Sequence, residues 1–251
     1  MEGVLVDPGG EAEKLMTEAK GLGVKVTEIW LTHGHLDHAG GAEDIRAELG
    51  IPVIGPHKDD QFWLDQIEAS WAKYGQAGMG KDIVPDRYLE DGDVLKIGET
   101  EFGVVHTPGH TSNHLCFALE ESGALFTGDH VMAWSTSVIV PPDGNMSDYM
   151  VSLQKIYERD DKVYYPAHGK KVTKPRQLVR GMMGHRKQRE RQIIKLLEEA
   201  PHAIVDMVPK MYKGLDPRLT GAAGQSVRAH LIDLQDRNEV ALDGEIWSMN
   251  G

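Results

Sequence analysis

Thr32-His33-Gly34-His35-Leu36-Asp37-His38-Ala39-Gly40-Gly41 sets three imidazoles and a carboxylate directly behind an apolar run. That run, residues 24–31, reads Val-Lys-Val-Thr-Glu-Ile-Trp-Leu, is rich in β-branched and aromatic residues, and predicts a strand. The four side chains therefore sit in the loop at a strand end. An extended backbone points His33 and His35 to one side, whereas the adjacent Asp37 and His38 diverge unless the chain turns. One turning loop can in this way serve two neighbouring metal ions, with the glycines of the stretch easing the turn. The run Ala42 to Leu49 then predicts a helix.

Upstream, Gly3-Val4-Leu5-Val6-Asp7-Pro8-Gly9-Gly10 reads as a buried strand ending in a Gly-rich turn, and Glu11 to Leu22 shows helical periodicity. The start is thus strand, helix, strand. Asp7, at its strand end, can reach the His33 loop and orient a ligand imidazole, or simply cap the turn. Downstream, Gln61 to Tyr74 predicts one helix whose Phe62, Trp63, Ile67 and Trp71 either pack a core or wall a pocket. Strand signals return at Val94 to Ile97 and at Phe102 to His106, where Thr107-Pro108-Gly109-His110 presents a fifth ligand candidate, His110. A further hairpin, Leu115 to Leu119 and Ala124 to Thr127, ends in Gly128-Asp129-His130, and Asp129 is the sixth. Tyr149 to Tyr157 reads as a helix, Lys162 to Tyr165 as a strand, and Pro166-Ala167-His168-Gly169 ends that strand with the seventh, His168. Each candidate falls just past a strand.

At 251 residues with 40% hydrophobic content the chain can bury a substantial core, and its composition is not that of a disordered segment. It contains no run of about 20 apolar residues and no basic-then-apolar leader pattern, which predicts a cytoplasmic protein with no membrane partner. The lone Cys116 sits in an apolar run and reads as a buried strand thiol. Charge is uneven. Residues 1–169 hold 12 basic and 29 acidic side chains, a net of −17, whereas 170–251 hold 15 and 10, a net of +5. Between Lys170 and Lys195 ten Lys or Arg face the single acid Glu190, a solvated helix face or a polyanion contact.

With its order H-x-H-x-D-H at 33–38, then His110, Asp129 and His168, the chain resembles the metallo-β-lactamase superfamily over most of residues 4–169. The resemblance implies an α/β fold, an αββα sandwich, with one metal ion held by His33, His35 and His110, another by Asp37, His38 and His168, and Asp129 bridging. Imidazole and carboxylate donors suit zinc, so two zinc ions are expected, with iron or manganese as alternatives. The implied chemistry is hydrolysis by a metal-activated hydroxide, Asp37 orienting the nucleophile as the catalytic carboxylate. His114 and His130, close in sequence to ligands, are expected to support them by hydrogen bonding. His57, His106, His185, His202 and His230 receive no role.

Asp129 departs from the pattern of antibiotic-cleaving members, and the surroundings of His168 depart from glyoxalase II. The stretches Trp134-Ser135-Thr136-Ser137, Pro142-Asp143-Gly144 and His185-Arg186-x-x-Arg189-Glu190 resemble the β-lactamase-like group in which a small winged helix follows the catalytic domain. Mammalian members of that group are endoribonucleases. Helical patterns at about 176–199, 202–212 and 219–236, then strands at 239–242 and 245–247, fit that winged-helix order. The domains are thus expected at 1–174 (catalytic) and 175–251 (winged helix). Superfamily members also place strands ahead of the Val4 strand where this chain has almost none, so either the sheet is shorter or the chain is a fragment, and homodimerisation is a further expectation. The expected activity is hydrolysis of a small ester, thioester or lactone, with metal-dependent RNA cleavage as the alternative and a non-catalytic metal-binding protein third.

Overall fold

The computed structural model describes residues 1–250, and their contacts divide the chain into two units. The first comprises Met1–Thr107, Asn113–Trp134 and Asp160–Thr173; the second comprises Pro108–Ser112, Ser135–Arg159 and the chain from Lys174 onward.

In the first unit the opening is the expected parallel crossover. Strand β1 (Glu2–Val6) is followed by α1 (Ala12–Gly21), and β2 (Lys25–Trp30) pairs parallel to β1. The chain then makes a short helical turn, α2 (Leu36–Ala39), the helix α3 (Ala42–Leu49), and β3 (Val53–Ile54), which joins β2 in parallel. Alternation along β2 feeds two cores, because successive strand residues face opposite sides. Ile29 and Leu31 enter a cluster with Ala42 and Ile45 of α3 and with Leu15 and Met16 of α1. Trp30 enters the other, with Leu95, Phe102, Val104 and Phe117. Its indole meets Phe102 and Phe117 edge-on, at 5.1 and 5.6 Å between centroids.

The segment Gln61 to Tyr74 is not one helix but two, α4 (Gln61–Leu64) and α5 (Ile67–Lys73). The hydrogen bonds explain the break. The Leu64 carbonyl accepts from Ile83 N at 3.2 Å, and Glu68 N donates to the Asp82 carboxylate at 3.1 Å, so the helical pair between 64 and 68 is spent on a distant segment.

The second sheet runs β4-β5-β6-β7-β8, with β4 (Val94–Ile97), β5 (Thr100–His106), β6 (Leu115–Leu119), β7 (Ala124–Gly128) and β8 (Val163–Pro166). Pairings are antiparallel from β4 to β7 and parallel between β7 and β8. Strands β5, β7 and β8 consequently run in the same direction, and the residues following each leave the sheet at the same edge.

The second unit holds α6 (Met146–Glu158) and the long α7 (Pro175–Glu199), started by proline at its first turn. Next come β9 (His202–Ala203), α8 (Ile204–Met211), α9 (Thr220–Asp236) and the hairpin β10 (Val240–Asp243) and β11 (Ile246–Met249). Where the periodicity predicts helix from 202, the first two residues instead pair with β11 and complete a three-stranded wing. Ile193 and Leu197 of α7, Met207 and Met211 of α8, Val227 and Leu231 of α9 and Trp247 of β11 share one buried core. No described helix is long and apolar enough to cross a membrane.

Candidate metal centre

The ligand-bearing turn is shaped by its neighbours. Asp7, at the end of β1, lies in the left-handed region at φ 53°, and its carboxylate accepts from Thr32 N (2.7 Å) and Thr32 Oγ1 (2.7 Å) and faces His38 Nδ1 at 3.0 Å. The following turn touches α2 directly. Gly41 N donates to Pro8 O at 2.9 Å, and a Cβ at Gly9 would stand 1.7 Å from the Asp37 carbonyl oxygen. Only glycine fits there. Gly9→Ala is therefore expected to push Asp37 and His38 out of place and cost about 2–3 kcal/mol of stability. Thermal unfolding and metal content of the purified variant check this; unchanged values for both would refute the close approach.

These contacts decide which nitrogen each imidazole offers. The Thr32 hydroxyl gives its proton to the Asp7 carboxylate, so at 3.0 Å from His33 Nδ1 it accepts, and His33 Nε2 is left with its lone pair. That atom stands 3.0 Å from His35 Nδ1. His38 donates Nδ1–H to Asp7, and its Nε2 faces Asp129 Oδ1 at 3.6 Å and Asp37 Oδ2 at 3.7 Å. His168 Nε2 reaches the same two oxygens at 3.5 and 3.2 Å. Ligand atoms of Asp37, His38, Asp129 and His168 all lie within 4.8 Å of one another, with His38 and Asp129 buried and Asp37 exposed. Asp129 and His168 arrive together because β7 and β8 are parallel neighbours.

Burial works against a charge on His38, but the carboxylates of Asp129 and Asp7 outweigh it and push its pKa up to about 10. A buried imidazole that takes a proton between two carboxylates marks a place built for positive charge. Nitrogen and oxygen donors with one nitrogen, His38 Nε2, meeting no hydrogen-bond partner fit a divalent cation such as zinc.

His114 and His130, expected to support the ligands, are both buried. His114 Nε2 accepts from Asp129 N at 3.1 Å, and its Nδ1 lies 2.9 Å from Thr107 Oγ1, so His114 holds the backbone of Asp129. His130 is buried, its ring 6.1 Å from that of His114. Trp63 packs edge-on against His35 at 4.7 Å, and Trp71 Nε1 donates to Gly40 O at 3.3 Å. The aromatic segment thus covers the ligand turn. Thr32, which links Asp7 to His33, escapes sequence reasoning, since a threonine ending a strand is commonplace. His110 belongs to the second unit; its Nδ1 lies 2.7 Å from the Val138 carbonyl. A carbonyl can only accept, so Nδ1 carries the proton and Nε2 presents a lone pair.

The pattern of the metallo-beta-lactamase superfamily matches residues 1–168, and that of the beta-lactamase associated winged helix domain matches residues 204–247. Hydroxyacylglutathione hydrolase GloC of Haemophilus influenzae is 30% identical over 172 residues, 67% of this chain and 81% of that protein. Atrochrysone carboxyl ACP thioesterase dmxR1 of a Cryptosporiopsis species is 31% identical over 69% of this chain, which spans 46% of that protein's length. Among solved structures, a metallo-beta-lactamase family protein of Thermus thermophilus superposes with a TM-score of 0.78 at 22% identity, covering 99% of this chain and 89% of that one. TTHA1623, solved in a di-iron-bound form, gives 0.61 at 29% identity over 69% of this chain and 85% of its own.

Proposed function

The chain belongs to the metallo-beta-lactamase superfamily, and from that premise we propose that it is a dinuclear, zinc-dependent hydrolase of a small acyl thioester or ester. The observation that carries this reading is the convergence of Asp37 and His38, from the turn after β2, with Asp129 and His168, from the ends of β7 and β8, so that their ligand atoms lie within 4.8 Å of one another. The names of the relatives add support for the bond broken, since a hydroxyacylglutathione hydrolase and an acyl-carrier-protein thioesterase both cleave thioesters.

In the proposed assignment Asp37, His38 and His168 hold one ion, His33, His35 and His110 the other, and Asp129 contributes to both. Two such cations supply, when bound, a nucleophilic water of near-neutral pKa and polarisation of the substrate carbonyl. The protein's own share is positional. Thr32 and Asp7 engage the Nδ1 atoms of His33 and His38, so that Nε2 is the atom each ring would offer to a cation, which at His38 would take the place of a proton. Asp37, whose side chain is 62% exposed, stands at the solvent side of the cluster, where its carboxylate can hold a water and take its proton. His168, 36% exposed, lies beside it and borders the approach of substrate. The buried His33, His38 and Asp129 form the floor from which bulk water is excluded.

A second reading, cleavage of RNA, draws on the basic run of α7, where Arg176, Arg180, Lys187, Arg191 and Lys195 are all exposed. A panel of acyl thioesters, esters, lactones and single-stranded RNA, offered to zinc-loaded protein, separates the two. Thioester turnover abolished by a chelator and restored by zinc is the expected result. Efficient RNA cleavage that falls steeply with salt, without acyl turnover, would replace the proposal by the second reading.

A further inference from the structure

Arg186 of α7 is 2% exposed, yet it makes no ion pair among the described residues. Its Nη2 donates to the Ser137 carbonyl, its Nη1 to Ser226 Oγ at 3.1 Å, and its guanidinium carbon stands 5.3 Å from the centroid of the Tyr149 ring. A buried cation that spends itself on a backbone carbonyl, a hydroxyl and a π face, with no carboxylate in return, is destabilising relative to an apolar side chain. Its contacts show what it holds in exchange. The carbonyl next to Ser137 in the chain, that of Val138, is the one that receives Nδ1–H of His110 at 2.7 Å.

The other side of the same guanidinium rests on Tyr149 of α6, the residue against which the His110 loop is pressed. A Cβ at Gly109, whose φ is +134°, would lie 2.3–2.4 Å from Tyr149 atoms. Asn145 N donates to Gly109 O at 2.9 Å, and Ser152 Oγ to Pro108 O at 2.8 Å. The backbone of residues 108–109 is thus tied to α6, while the His110 ring is tied to Val138. Arg186 touches both supports.

Resting on the reading of His110 as a metal ligand, we propose that Arg186 is a positioning residue. It clamps the Ser137–Val138 peptides so that the Val138 carbonyl holds His110 as the Nδ1–H tautomer, with Nε2 turned to a metal ion. Nothing in the local sequence marks this role, since Arg186 acts on Ser137 from 49 residues away.

The test compares Arg186→Met and Arg186→Lys with His110→Ala and with Arg189→Met. The last removes a comparable arginine that donates to Met211 O and stacks on Tyr212 but lies outside the clamp. Two readouts are used: nitrogen chemical shifts of His110 in metal-free protein, and zinc per chain under limiting zinc. In Arg186→Met the shifts should move from a single Nδ1–H tautomer to a mixture. Zinc at the His110 position should bind 10–100-fold more weakly, and excess zinc should restore it. Arg189→Met should lower the melting temperature and leave both readouts as in the wild type. A folded Arg186→Met that keeps the pure tautomer and wild-type zinc binding overturns the proposal. Should Arg186→Met not fold, Arg186→Lys, which keeps the charge but not the two-armed clamp, decides the question through the tautomer shifts: a mixture supports the clamp and a pure tautomer overturns it. If His110→Ala itself keeps both ions, the ligand assignment fails, while the tautomer shifts in metal-free protein still judge the clamp.

Discussion

Asp129→Asn is expected to lower turnover by about 10³-fold, equivalent to about 4 kcal/mol of transition-state stabilisation. The substitution keeps the volume and replaces a carboxylate by an amide. In the structure Asp129 Oδ1 is the buried oxygen that both His38 Nε2 and His168 Nε2 face, at 3.6 and 3.5 Å. Two cations bound there would repel each other, and the charge of the buried Asp129 carboxylate would offset that repulsion in a place water screens poorly. The amide removes the charge and turns one donor toward the imidazoles. Elemental analysis should show the variant retaining fewer ions than the wild type, and steady-state kinetics should show the loss mainly in kcat. Near-normal turnover with two ions per chain would remove Asp129 from the centre of the proposal. The fold itself should be retained, because the hydrogen bond from the Asp129 backbone N–H to His114 does not depend on the side-chain charge.

His230→Leu is expected to flatten the pH dependence of stability in the second unit by roughly 4–5 kcal/mol between pH 6.5 and 3. His230, on α9, is 2% exposed, and neither ring nitrogen meets a hydrogen-bond partner. Burial, then the nearby cations of Arg186, His185, Arg237 and Arg189, lower its pKa to about 3. In the unfolded chain the same imidazole titrates near 6.5. Between those values the unfolded state binds a proton that the folded state refuses. The stabilising effect is therefore fully present above pH 6.5 and is lost as pH falls towards 3. Denaturant unfolding of metal-free wild type and variant, repeated from pH 7 to pH 4.5, isolates the contribution, since other titrating groups such as His185, Glu190 and Asp233 are common to both. Over those conditions the wild type should lose about 2–3 kcal/mol more than the variant. Parallel stability curves would mean that His230 takes up its proton as readily in the folded as in the unfolded chain.

Much of the scaffold follows from local pattern. The parallel start, the helices α1, α3, α6 and α7 and the hairpin of the wing all sit where apolar spacing and turn residues predict them, because each buries one face against a neighbour. The failures are instructive. Residues 61–74 carry a helical pattern throughout, yet the helix breaks where Ile83 and Asp82 outcompete it for hydrogen bonds. Residues 202–203 are helical by periodicity and become a strand because β11 offers an open edge.

That imidazoles and carboxylates gather at strand ends is already written in the order of the residues. Histidine spacing in 33–38 and the runs before His110, Asp129 and His168 are properties of adjacent residues, readable from hydrophobic alternation and turn chemistry alone. How those groups are held is a matter of long-range packing. Parallel pairing of β7 with β8 brings Asp129 beside His168. The tautomer of His33 depends on Asp7 acting through Thr32 25 residues away, that of His38 on Asp7 across 31, and that of His110 on Val138 across 28. The physical reason is that a ring nitrogen's role is set by whichever acceptor packing places within about 3 Å of it. No local pattern records which distant strand end or loop that will be.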